Sequence, residues 1–89
     1  MLTLDCERIF LKELEKLRKR GKDPEKLFQV VDLLIKGKPL PAKNRNHKLH
    51  GEFKGLWECH IEPDWLLVYD KTPIEIILIR TGTHSDLFK

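Results

Sequence analysis

The chain has 89 residues, of which 40% are hydrophobic, enough for one modest core and too few for a second independent one. Its longest apolar stretch, Ile74 to Ile79, is interrupted by Glu75 and falls far short of the roughly 20 residues of a membrane-spanning helix. The amino-terminal residues Met1 to Asp5 carry neither a basic leader nor a long apolar segment, so the expected location is the cytoplasm. Cys6 and Cys59 are too few for a disulfide-built scaffold and are expected to be reduced. The net charge of +3 is uneven: residues 1–54 hold 14 Lys and Arg against 8 Asp and Glu, whereas residues 55–89 hold 3 against 6. A basic first part of this kind can meet a polyanion or can simply be solvated.

In chain order, Leu2 to Asp5 alternates apolar and polar and reads as a short strand. From Glu7 the chain is rich in Glu, Lys, Leu and Arg, and Cys6, Phe10, Leu14 and Leu17 recur at helical spacing, predicting a helix to about Arg20. Arg18, Lys19, Arg20 and Lys22 close it with charge that complements the helix dipole, and Gly21 can take the left-handed stop. Asp23 before Pro24 is an N-cap beside a first-turn proline, and Leu27, Val30, Val31, Leu34 and Ile35 keep the helical period until Gly37. The short link predicts an antiparallel helical hairpin with one shared apolar face.

Pro39 and Pro41 forbid further helix, and the polar stretch to about Gly55 reads as a long connection, a length that itself suggests function. It carries Lys43, Arg45, Lys48 and Lys54, the candidate RNA-binding cations. Three strands are predicted next, at Leu56 to Ile61, Trp65 to Asp70 and Glu75 to Arg80, divided by the turns Glu62-Pro63-Asp64 and Lys71-Thr72-Pro73. Alternation puts Trp57, Cys59 and Ile61 on one face and Glu58 and His60 on the other, with His60 away from the core. The middle strand, apolar on both faces, is expected to be central. The chain is thus expected to be α+β in the order β-α-α-β-β-β, as one domain over residues 1–89, with a possible short element at the end.

Four histidines, all in the second half, are its most unusual feature, because this side chain exchanges protons near neutral pH. His47, His50, Cys59 and His60 could be read as zinc ligands, but the spacing is loose and no Cys-x-x-Cys pair accompanies them. Ser85 has no flanking elbow glycines, and Cys59 alternates onto the face of Trp57 and Ile61, so neither reads as a nucleophile. Metal-free RNA cleavage fits these residue types better. A base takes a proton from a ribose 2′-hydroxyl, an acid protonates the leaving 5′-oxygen, and cations steady the phosphorus centre.

Three segments sharpen that reading: His47-Lys48-Leu49-His50-Gly51, then Trp57-Glu58-Cys59-His60-Ile61-Glu62-Pro63-Asp64-Trp65, then Arg80-Thr81-Gly82-Thr83-His84 with Leu87-Phe88. The pattern resembles the YafQ branch of the RelE-like toxins over nearly the whole chain. The resemblance implies a RelE-like fold and a toxin of a type II toxin-antitoxin system that cuts messenger RNA in the ribosomal A site without a cofactor. It also implies a cognate antitoxin as partner and no membrane. Carried over by position, it makes His47, His60, Asp64 and His84 the catalytic cluster, Arg80 the phosphate-stabilising cation, and Trp65 and Phe88 the supporting aromatics. His84 is the expected acid, and the base is shared between His60 and Asp64. Glu58 stands where the family typically carries Asp, one methylene shorter. His50 is expected to be a bystander. The alternative is a toxin of the same fold that binds RNA or the ribosome without cutting.

Overall fold

In a computed structural model, which describes residues 1–88, the chain forms β1 (Thr3–Cys6), α1 (Arg8–Lys19), α2 (Pro24–Ile35), β2 (His47–Lys48), β3 (Trp57–Glu62), β4 (Trp65–Lys71), β5 (Glu75–Gly82) and α3 (His84–Leu87). Both helices begin and end where the local chemistry directs. The side chain of Asp23 accepts from the backbone N–H of Glu25 with Pro24 in the first turn, and Gly21 and Gly37 follow the helices with φ of 99° and 69°.

The five strands lie in the order β1-β5-β4-β3-β2, so the strand made first ends beside the strand made last. β1 pairs with β5 in parallel, and the other neighbours are antiparallel. The parallel pair is possible because the two helices supply the long crossover that parallel strands need. β4 is central and buried from Trp65 to Tyr69, as its apolar character on both faces predicts.

One core cluster joins Phe10 and Leu17 of α1 and Leu27, Val30, Val31 and Leu34 of α2 to Cys59, Trp65, Leu67, Tyr69, Ile76 and Leu78 of the sheet. Trp57 and Ile61 pack against it beside Cys59, so the alternation expected for β3 holds on the core side. Burial pushes the Cys59 thiol up to about 12, with a smaller contribution from the neighbouring Glu58, which leaves it unreactive as a nucleophile or ligand.

The connection after Pro41 is where the structure departs from expectation. It is not a structureless loop: two single 3₁₀ turns, Ala42–Asn44 and Gly51–Phe53, flank β2, whose His47 and Lys48 pair with Glu58 and Trp57 of β3. Two residues are too short for a period of two to register, so the fifth strand left no pattern in the sequence. Two register shifts also bend the sheet, one between His60 and Glu62 at the β3–β4 turn and one where Val68 and Tyr69 face Arg80 and Leu78. Such bulges re-aim side chains and terminate pairing. No helix among the described residues is long and apolar enough to cross a membrane.

Candidate active site

β2, β3, the β3–β4 turn and α3 bring together the histidines that lie far apart in the sequence. His47 is set by its own backbone: a carbonyl oxygen can only accept, so the 2.6 Å contact to the carbonyl of Arg45 fixes the hydrogen on Nδ1. The same logic applies to His60, whose Nδ1 faces the carbonyl of Pro63 at 3.3 Å. Both rings therefore turn Nε2 toward one carboxyl oxygen, Oε1 of Glu58, at 3.4 Å from His47 and 3.7 Å from His60. Glu58 is only 5% exposed, so the face expected to be open holds a buried acid flanked by two imidazoles. Its Oε1 lies within reach of both rings.

His84 belongs to a second, separate pair. Oδ1 of Asp64 accepts the backbone N–H of His84 at 2.9 Å and its Nδ1–H at 2.6 Å. These two bonds, first the backbone and then the side-chain one, hold the Asp64 carboxyl below its ordinary 3.8 and keep it an acceptor. With Nδ1 committed, Nε2 of His84 is its free nitrogen. The rings of His60 and His84 lie 5.8 Å apart between centroids at a tilt of 59°.

α3 is placed for this by a reciprocal cap. Thr83 accepts from the backbone N–H of Asp86 at 3.1 Å, and Asp86 accepts from that of Thr83 at 2.9 Å. Arg20 donates to the same carboxylate at 3.0 Å, and these contacts lower Asp86 to about 2. The cap is therefore Thr83, and His84 is the first helical residue, not the capping group.

The remaining expected residues are placed less centrally. Arg80 is held by Glu13 of α1, with Nε at 2.9 Å from Oε1 and Nη2 at 2.7 Å from Oε2, and the same carboxylate accepts from the N–H of Thr81. Trp65 is fully buried, its Nε1–H donating to Thr81 at 2.9 Å, so it supports the end of β5 from within the core. Phe88 does not close the core: it is 40% exposed and packs edge-on against Phe53 at 5.5 Å. Lys43, Arg45, Lys48 and Lys54 are all exposed, and Lys48 also lies over the Trp57 ring at 5.4 Å. Of the residues in the zinc reading, His47, His50, Cys59 and His60, Cys59 lies in the core, and among the described residues no three His, Cys, Asp or Glu side chains are placed to hold a metal ion.

Four residues that sequence reasoning did not single out fasten this assembly. Asn44, 5% exposed, donates from Nδ2 to the carbonyl of His60 at 2.7 Å. Asn46 accepts from the Tyr69 hydroxyl at 2.6 Å, and Glu62 takes Lys22 and Lys26 at 2.5 and 2.7 Å, tying the β3–β4 turn to the start of α2. Those two lysines hold Glu62 below its usual carboxylate range. Glu13 completes the set. Its position on the first helix carried no signal beyond an ordinary polar face.

Comparison with known proteins shows the family. The model of the family described as the bacterial toxin of type II toxin-antitoxin system, YafQ, matches residues 2–89. This chain belongs to the YafQ toxin family. The mRNA interferase toxin YafQ of Escherichia coli K12 is 42% identical over 80 residues, 89% of this chain and 87% of that protein. The crystal structure of YafQ from E. coli BL21(DE3) superposes with a TM-score of 0.94 at 37% identity over the whole of both chains. YafQ in the E. coli DinJ-YafQ complex superposes at 0.92 with 38% identity, again over both whole chains. The expected RelE-like α+β fold is thereby confirmed, with a fifth strand added to it.

Proposed function

We propose that this chain is a cytoplasmic, ribosome-dependent endoribonuclease that cuts messenger RNA in the A site and is neutralised by a partner antitoxin. The observation that carries the catalytic part is the convergence of His60 and His84, 5.8 Å apart, each backed by a different carboxyl group. A catalyst that attacks a phosphodiester with the adjacent 2′-hydroxyl needs one group to remove a proton and another to deliver one, and the two must not be the same ring.

His60 is the base. With its Nδ1–H directed at Pro63, Nε2 takes the proton of the 2′-hydroxyl, and Glu58 stabilises the resulting imidazolium. The 2′-oxygen bonds to phosphorus, the bond from phosphorus to the 5′-oxygen breaks, and Nε2 of protonated His84 delivers a proton to that departing oxygen. The products are a 2′,3′-cyclic phosphate and a 5′-hydroxyl. Asp64 is a positioning residue for His84: with its carboxylate already accepting two N–H groups and its pKa lowered, it is a poor proton acceptor. His47, joined to the same Glu58, helps hold that carboxyl group beside His60. Arg80 acts from its place on Glu13, as a fixed positive charge at the end of β5.

The exposed cations of the β2 segment suit messenger and ribosomal RNA, and an antitoxin that covers them would silence the enzyme. The E. coli relative seen with DinJ supports a protein partner of this kind. The test is primer extension on a message translated with and without the protein. New cleavage sites that disappear in His60→Ala and in His84→Ala are expected; growth arrest that persists in both variants without cleavage would instead establish action by occupancy.

A further inference from the structure

His60 itself lines a cleft of about 390 Å³, and the reaction above assigns no proton transfer to its other walls, Lys43, Asn44, Arg45, Ile61, Glu62 and Pro63. A second cleft of about 350 Å³ continues it toward Gln29 and Leu33 of α2, and the two meet at Lys43, Asn44 and Ile61. Their volumes are those of small-ligand sites. The only acid in the first wall, Glu62, is already paired with Lys22 and Lys26, so the cleft is cationic through Lys43 and Arg45.

Two features mark it as built. Arg45 is the only non-glycine residue among those described with a positive φ, 46°, a conformation that disfavours a long side chain. It is held there by neighbours on both sides: Asn44 bonded to His60, Asn46 to Tyr69, and its own carbonyl to His47. The second feature is Asn44. Since the carbonyl of His60 can only accept, the amide nitrogen of Asn44 must face it and leave Oδ1 as the group without a hydrogen bond. No fully buried side-chain polar atom among the described residues lacks a partner, so this oxygen keeps some solvent exposure, and Asn44 lines both clefts.

Building on the nuclease reading, we propose that this cleft is a nucleotide subsite flanking the scissile phosphate: Arg45 and Lys43 take a backbone phosphate, and Asn44 Oδ1 accepts an exocyclic amino group of the base. Adenine and cytosine present such a group at the base edge. Uracil does not, and its ring N–H is recessed between two carbonyls that would face Oδ1 and repel it. Asn44 is thereby a specificity-determining residue, and its second bond makes it a positioning residue for His60.

The test uses the isotope-labelled full chain titrated by NMR with 5′-AMP, 5′-CMP, 5′-UMP and inorganic phosphate, observing the Asn44 side-chain amide and the backbones of Arg45 and Ile61. AMP and CMP are expected to bind about three- to tenfold more tightly than UMP, the worth of one net hydrogen bond. Phosphate alone should perturb only Lys43 and Arg45. Asn44→Ala should bring AMP down to the level of UMP. Arg45→Gly, which suits the left-handed backbone, should weaken all three nucleotides about tenfold and keep their order. Equal binding of the three by the wild type, an Asn44→Ala variant that keeps the preference, or perturbations centred elsewhere would overturn the subsite. Loss of the nuclease reading is distinguishable, since nucleotide binding at Asn44 would then persist without cleavage of any translated message.

Discussion

Replacing Asp64 with Asn isolates the tie between the β3–β4 turn and α3. The amide keeps an oxygen that can still accept from the backbone N–H and Nδ1–H of His84, now at 2.9 and 2.6 Å, but it removes the negative charge. A hydrogen bond to a charged acceptor is stronger than one to a neutral acceptor, so the ring of His84 is held less firmly. Side-chain exposures of 55% for His84 and 66% for Asp64 mean that solvent screens the pair, which keeps the loss modest. Cleavage in the primer-extension assay is therefore expected to fall about fivefold, with the pattern of sites unchanged and the urea unfolding midpoint nearly so. His84→Ala should fall much further, because it removes the proton donor itself. If Asp64→Asn were as inactive as His84→Ala while remaining folded, Asp64 would be exchanging the proton directly, and its role as a positioning residue would be wrong.

Glu13→Ala should lower stability by about 2 kcal/mol in urea unfolding, since it strips a partly buried Arg80 of both its bonds and leaves the N–H of Thr81 without its acceptor. Phe88→Ala is expected to change stability by less than about 1 kcal/mol, because the ring is exposed and touches Phe53 outside the core, so any loss of cleavage can be read as a loss of function. Trp65→Ala should by contrast cost about 3–5 kcal/mol in the same urea unfolding assay, since its ring is fully buried. For Asp86, held at about 2 against an ordinary 3.8, the folded state binds its proton less readily than the unfolded chain does. Its stabilisation is present above about pH 4 and lost as the pH falls toward 2, so the gap in unfolding midpoint between wild type and Asp86→Asn should shrink over that range.

Much of this could be read without coordinates because it is local. Helical spacing of Phe10, Leu14 and Leu17, the Asp23-Pro24 cap and Gly21 each act within a few residues, and helices α1 and α2 begin and end within about one residue of where those signals place them. The strands after Gly55 were equally legible from their alternation and turn prolines, and the segments around His47, His60 and His84 carry the family's pattern. What stayed hidden depends on partners distant in the chain. β2 is too short to show a period, and it is a strand only because His47 and Lys48 find β3.

The same reason divides the site. Residue types named the histidines, but which ring nitrogen each commits to a hydrogen bond is decided by oxygens that the fold delivers: the carbonyl of Arg45 for His47, that of Pro63 for His60 and the carboxylate of Asp64 for His84. The positioning role proposed for Asp64 rests on its carboxylate accepting both N–H groups of His84, a contact no local pattern shows. Arg80 could not be told from a free phosphate ligand until Glu13, 67 residues earlier, closed on it. The sequence by itself determined the two long helices, the strands other than β2, and which side chains can move protons. The tertiary structure alone decided how those protons are directed, because a hydrogen bond depends on the position and angle of a partner that local sequence does not specify.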